Sequence, residues 1–166
     1  MTKWISILLS VAMLVCFAAC SDETGNAGEG DAKPAYTFLY KGQTVAIRAN
    51  AKPVLDALGD PFYEETLPTC YVGDQDKLFA YERGGVKLMT YQIDGVDYFY
   101  QIELLVDLVS TREGISVGNA KQAVLDAYGE PTKTDALCLT YEAEGMQLEF
   151  SLDSSDCVRS IVYRYR

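Results

Sequence analysis

Nine residues appear twice in this chain, nearly unchanged: Pro53-Val-Leu-Asp-Ala-Leu-Gly-Asp-Pro61 and Ala123-Val-Leu-Asp-Ala-Tyr-Gly-Glu-Pro131. A chain that repeats itself at this period is constrained to build similar local structure twice. The string reads as a helix end. Val, Leu and then Leu or Tyr fall at i, i+1 and i+4, one apolar stripe at helical spacing, with Asp56 and Asp126 in water. Gly59 and Gly129 stand where the chain must turn left-handed to leave the helix, and Pro61 and Pro131 cannot continue it. Asn50 and Asn119 are the candidate N-caps, and Gln122 follows Asn119 as in a capping box. Each helix has only about two to three turns, so each needs a sheet to pack against.

The self-similarity extends to both sides. Thr44-Val-Ala-Ile47 matches Gly114-Ile-Ser-Val117 before the helices, and Tyr81-Glu-Arg-Gly-Gly-Val-Lys-Leu88 matches Tyr141-Glu-Ala-Glu-Gly-Met-Gln-Leu148 after them. Phe99-Tyr-Gln-Ile102 corresponds more loosely to Val158-Arg-Ser-Ile161. Met146, Leu148, Phe150 and Leu152 alternate with Gln147, Glu149 and Ser151, the period of a strand with one wet face. Tyr98, Tyr100, Ile102 and Leu104 alternate likewise against Gln101 and Glu103. Asp94-Gly95 is a two-residue hairpin signal, and Gly84-Gly85 and Glu144-Gly145 mark the preceding turns.

These patterns predict an α+β fold of two tandem helix-plus-antiparallel-meander units, residues 36–111 and 112–166. The order is helix, strand, strand, strand, twice, with the helices on one sheet face. A hairpin of Tyr36–Tyr40 and Thr44–Ile47 around Gly42 leads into the first unit. That unit also carries an insertion, 62–77, holding Glu64, Glu65, Cys70, Tyr71, Asp74 and Asp76. It reads either as an added functional loop or as a short strand covering a sheet edge.

Ahead of the folded part, Met1 to Lys3 is basic, Trp4 to Phe17 apolar, and Ala18-Ala19-Cys20 closes the run. The apolar run falls short of the roughly 20 residues that span a bilayer, so residues 1–19 are expected to be an export signal. Small residues directly before a cysteine resemble the lipobox of bacterial lipoproteins. That likeness implies a diacylglycerol on Cys20 that holds the chain on the extracytoplasmic face of a lipid bilayer. Phe17 departs from the usual leucine, and Cys16 is the weaker candidate because Val15 is not small. The alternative is signal cleavage without lipid. Residues 20–35, rich in Gly, Ser, Asp, Glu and Ala, are expected to form a tether spanning roughly 20 Å.

Chemistry has little to stand on. The chain has no histidine, which removes the usual metal ligand, general base and triad partner together. Cys70 as a nucleophile would lack a base. Asp74-Gln-Asp76 and Asp94-Gly-Val-Asp97 do not follow the calcium loop with its closing Glu and read as turn residues. No catalytic residue, metal site or cofactor is therefore expected. Fourteen Lys and Arg against 24 Asp and Glu leave a net charge of −10, which makes nucleic acid a poor partner. With Cys20 lipidated, Cys70, Cys138 and Cys157 remain, an odd number. A middle strand would hold Cys138 and Cys157 about 9 to 10 Å apart, too far for a bridge, whereas Cys70 could meet either one.

The units differ on the expected solvent face of the sheet. Where the second has Glu149 and Ser151, the first has Met89 and Tyr91; where the second has Val158, the first has Phe99. Exposed Met, Tyr and Phe resemble a binding hot spot, unless they pack on the insertion or on the other unit.

A signal ending in Cys, a hydrophobic-x-hydrophobic strand, a helix closing in Leu or Tyr-Gly-Asp or Glu-Pro, and Tyr-containing strands together resemble two families. One is the SmpA/OmlA-type outer-membrane assembly lipoproteins; the other is the beta-lactamase inhibitor protein family, built from two such units in tandem. The chain is also similar to uncharacterised lipoproteins of Gram-positive bacteria. The likeness covers about residues 42 to 166. It departs from the first family in having two units and from the second in its cysteine pattern. In the inhibitor family the sheet faces form a concave surface that grips a protein, which implies Met89, Tyr91, Phe99 and Gln101 as contacts here. The expected function is a non-catalytic, membrane-anchored module binding an envelope or extracellular protein. An assembly or scaffolding role is the alternative, and a carboxylate-based cell-surface hydrolase the third reading.

Overall fold

In the computed structural model, residues 36–69 and 75–166 are described. The chain enters as a hairpin of β1 (Thr37–Tyr40) and β2 (Gln43–Ala46), whose turn residues Lys41 and Gly42 both take positive φ. Helix α1 (Lys52–Leu58) follows. The Asn50 side-chain oxygen accepts the Lys52 amide at 3.0 Å, Pro53 sits in the first turn, and Gly59 closes the helix at φ 73° with its amide on the Leu55 carbonyl.

The chain then runs through β3 (Tyr63–Leu67), β4 (Asp76–Tyr81), β5 (Val86–Ile93) and β6 (Val96–Leu104). A second passage gives α2 (Lys121–Tyr128), β7 (Lys133–Asp135), β8 (Cys138–Ala143), β9 (Met146–Leu152) and β10 (Val158–Tyr165). Here the cap differs from expectation. Asn119 accepts the Ser116 amide at 2.8 Å, Gln122 bonds forward to Asp126, and α2 begins at Ala120 with no side-chain cap.

The predicted α+β architecture of two tandem helix-plus-meander units is corrected by the strand order. The described residues form a mostly β protein in which β3-β4-β5-β6-β10-β9-β8-β7 make one antiparallel sheet of eight strands. Strand β6 pairs directly with β10, Leu104 opposite Ile161 and Gln101 opposite Arg164, so the sheet continues from one half into the other. A fourth strand, β3 or β7, opens each half where three were expected. The helices are too short to define the fold: α1 has seven residues and buries none fully, and α2 has eight and buries only Val124.

One face of the sheet carries the main core. Val86, Leu88, Phe99, Ile102, Leu104, Leu148, Phe150, Ile161 and Tyr163 lie under the β1–β2 hairpin and the two helices, with Phe38, Val45 and Val124 reaching down to meet them. Matching hydrogen bonds tie each helix end to this sheet. The Tyr81 hydroxyl donates to the Gly59 carbonyl at 3.2 Å, and the Tyr141 hydroxyl to the Gly129 carbonyl at 2.9 Å. The inserted segment lengthens a hairpin that both halves possess. Strands β3 and β4 pair from Tyr63–Ala80 to Leu67–Asp76, whereas β7 and β8 pair over three positions.

Candidate functional site

The far face of the sheet, away from helices and hairpin, divides into two chemistries. On the β9–β10 side it is an ion-pair network. Glu142 accepts from Lys133 at 2.6 Å, Gln147 at 2.8 Å and Arg166 at 2.9 Å, and Arg164 bonds to Gln147 and Glu149. Hydrogen bonding by Lys133 and then Gln147 holds the Glu142 carboxyl below the ordinary carboxylate range. On the β4–β6 side the face is apolar and aromatic. Leu78, Ala80 and Met89 form a small buried cluster separate from the main core, flanked by Leu67 and Tyr100. Tyr91 stacks on Tyr98 with ring centroids 5.8 Å apart and meets Tyr100 at 6.4 Å. Burial, and then the charges of Asp76 and Glu103, push the Tyr100 hydroxyl pKa up.

The four candidate contacts fall in three different places. Tyr91 and Gln101 lie half-buried on the far face, where the Gln101 amide donates to Glu103 at 2.8 Å and Glu103 pairs with Lys87. Met89 stands opposite Gln101 but is 9% exposed, packed against Leu78 and Ala80. Phe99 is 0% exposed and belongs to the main core. As a surface contact Phe99 is therefore corrected, and a β-bulge is the reason. Met89 pairs with Gln101 and Thr90 with Phe99, leaving Tyr100 as an extra residue on β6. Below that residue the alternation reverses. Phe99 turns into the core, and Tyr98 and Tyr100, expected inside, join Tyr91 on the far face.

Strand β6 changes neighbours at the same place. Its 101–104 stretch is paired by β10, and below it residues 48–51 take over: Arg48 donates to the Phe99 carbonyl at 2.7 Å and Ala51 to the Asp97 carbonyl at 2.8 Å. Where the neighbours change, Arg48, Asp76, Tyr91, Tyr100 and Tyr165 line a depression of about 500 Å3. The Arg48 guanidinium lies 5.1 Å from the centre of the Tyr165 ring, within cation–π range.

Elsewhere, Cys138 and Cys157 are free thiols, and burial first of all pushes the Cys138 pKa up. Cys20, its signal and tether, and Cys70 lie outside the described residues. Among the described residues no group of three or more acidic or cysteine side chains is placed to hold a metal, and no helix is long and apolar enough to cross a membrane. Asp94 and Gly95 both take positive φ in the β5–β6 turn, and Asp97 pairs with Lys77 at 3.5 Å.

No family model and no curated protein matches the chain. Two solved structures are similar at low identity. One is an extracellular protein containing an SCP domain from Bacillus anthracis str. Ames, with a TM-score of 0.42, 8% identity, and coverage of 87% of this chain and 50% of that one. The other is a cysteine-rich secretory protein from Staphylococcus aureus subsp. aureus Mu50, with a TM-score of 0.40, 10% identity, and coverage of 72% and 44%. The chain spans about half the length of either.

Proposed function

We propose that this chain is an extracytoplasmic lipoprotein, held on the membrane surface through Cys20, that binds a protein partner and does not catalyse. The observation that carries the binding role is the asymmetry of the far sheet face. One sheet surface is closed by ion pairs over β8–β10 and, apart from the Lys87–Glu103 pair, left apolar and aromatic over β4–β6. Half-buried tyrosines around a dry Leu-Met cluster combine large contact area with little side-chain entropy to lose, the make-up of a binding hot spot. The Ala18-Ala19-Cys20 sequence behind a short apolar run supports the anchor.

The contact set becomes Tyr91, Tyr98, Tyr100 and Gln101, with Met89 supporting them from below. The chain's net charge of −10 favours a basic partner.

The test is a paired capture from envelope extract of the native host, using the full chain and its Tyr91→Glu variant. A protein retained by the first, lost from the second and bound again by purified wild type supports the reading. Equal retention by both chains, or none by either, overturns it, provided the variant melts at the wild-type temperature.

A further inference from the structure

We propose that the depression between Arg48, Asp76, Tyr91, Tyr100 and Tyr165 is a binding site for one ring of a neutral saccharide. Three properties of its wall select that chemistry.

The first is charge. Arg48 and Asp76 carry opposite signs, so an anionic ligand meets Asp76 and the acidic molecule behind it, while a cationic ligand meets Arg48. A neutral ligand escapes both penalties.

The second is the mixture of surfaces. Tyrosine rings supply flat apolar area, Arg48 supplies only donors, and Asp76 only acceptors. Among the described residues no hydrogen bond uses the hydroxyls of Tyr91, Tyr100 or Tyr165, and these can both donate and accept. A pyranose matches this set: its C–H face lies on an aromatic ring, and each of its hydroxyls gives and takes a hydrogen bond at the rim. A volume of about 500 Å3 falls within the range of small-molecule sites.

The third is the backbone under Arg48. Its φ is +68°, a region that residues with a β-carbon enter at a cost. The corresponding position in the other half is Gly118, at φ +90°, whose amide donates to the Val158 carbonyl as that of Arg48 donates to Phe99. The same turn is thus made with glycine in one half and with arginine in the other, Arg48 being one of seven residues with a β-carbon at positive φ among the described residues. At Arg48 the guanidinium lies over the Tyr165 ring at the pocket wall, which places the side chain at the site and leaves the turn itself to the backbone.

The site goes beyond the protein-binding reading and shares only Tyr91 and Tyr100 with it, so the two can fail separately. The experiment is saturation-transfer difference NMR on the full chain with cellotriose, maltotriose and triacetylchitotriose. Glucose and N-acetylglucosamine, added alone, distinguish a free sugar from a saccharide chain as the source of the ring. Transfer to ring C–H protons of at least one of these sugars is expected. Arg48→Gly should weaken that binding by about tenfold or more, leave the melting temperature unchanged or higher, and leave protein capture intact. No transfer with any of the five sugars overturns the proposal, as does binding unchanged in Arg48→Gly. A lower melting temperature for Arg48→Gly also overturns it, by assigning Arg48 to the fold.

Discussion

Gly85 has no room for a methyl group: a β-carbon there would sit 2.3 and 2.7 Å from the two methyls of Val106, although its φ of −80° suits any residue. The constraint is packing, so Gly85→Ala should cost about 1–3 kcal/mol in urea unfolding, with much of it recovered when Val106→Ala is added. An unaffected midpoint would contradict the contact. Single residues of this kind were partly legible in the sequence. Gly59 and Gly129 announced their positive φ through the helix stop and the proline after it, and Asp94-Gly95 announced a tight turn. Phe99 was not legible, because Tyr98-Phe99-Tyr100 is aromatic at every position and a one-residue bulge decides which ring goes inward.

At the scale of elements, the helices stay on the sheet through a few specific bonds as well as through apolar contact. Removing the hydroxyl that reaches the helix-end carbonyl, in Tyr81→Phe or Tyr141→Phe, should lower stability by about 1 kcal/mol each. Thermal melts of both variants check this, and an effect in only one would show that the two bonds are not equivalent supports. Strand β9 could be read from its strict alternation, and the entry hairpin, both helices and the strands β5, β6, β8 and β10 from the repeat and the turn signals between them, although β5 and β8 each bury three consecutive residues. Strand β7 could not, and β3 was legible only as one of two readings of the insertion, the short strand at a sheet edge. Tyr63-Glu-Glu-Thr and Lys133-Thr-Asp are exposed throughout, so no alternation marks them, and only pairing with β4 and β8 makes them strands. The pairing of β6 with β10 was equally hidden, since a contact between distant edges leaves no local pattern. That pairing is what turns two sequence-similar halves into one mostly β sheet.

At the scale of the whole molecule, the core is rich in tyrosine, which gives it a pH limit. Burial raises the pKa of Tyr128 and Tyr163 far above the ordinary 10.0, and raises those of Tyr81 and Tyr141 as well. Below about pH 10 these groups are protonated folded and unfolded, so they add no pH dependence. Above it the unfolded chain ionises while the folded one holds its protons, so stability should fall as pH rises. Urea midpoints from neutral pH to about 11 should drop in the alkaline range, with tyrosinate absorbance of the core rings appearing as the protein unfolds; a flat midpoint would contradict the burial. The binding role rests on the two-sided chemistry of the far face, whose aromatic half became visible only with the bulge in place. Its most direct test is hydrogen exchange on the full chain, free and in complex with the captured partner. Protection gained along β5 and β6, between Met89 and Gln101, is the predicted result; protection confined to β8 and β9, or to the helix and hairpin layer, would contradict it.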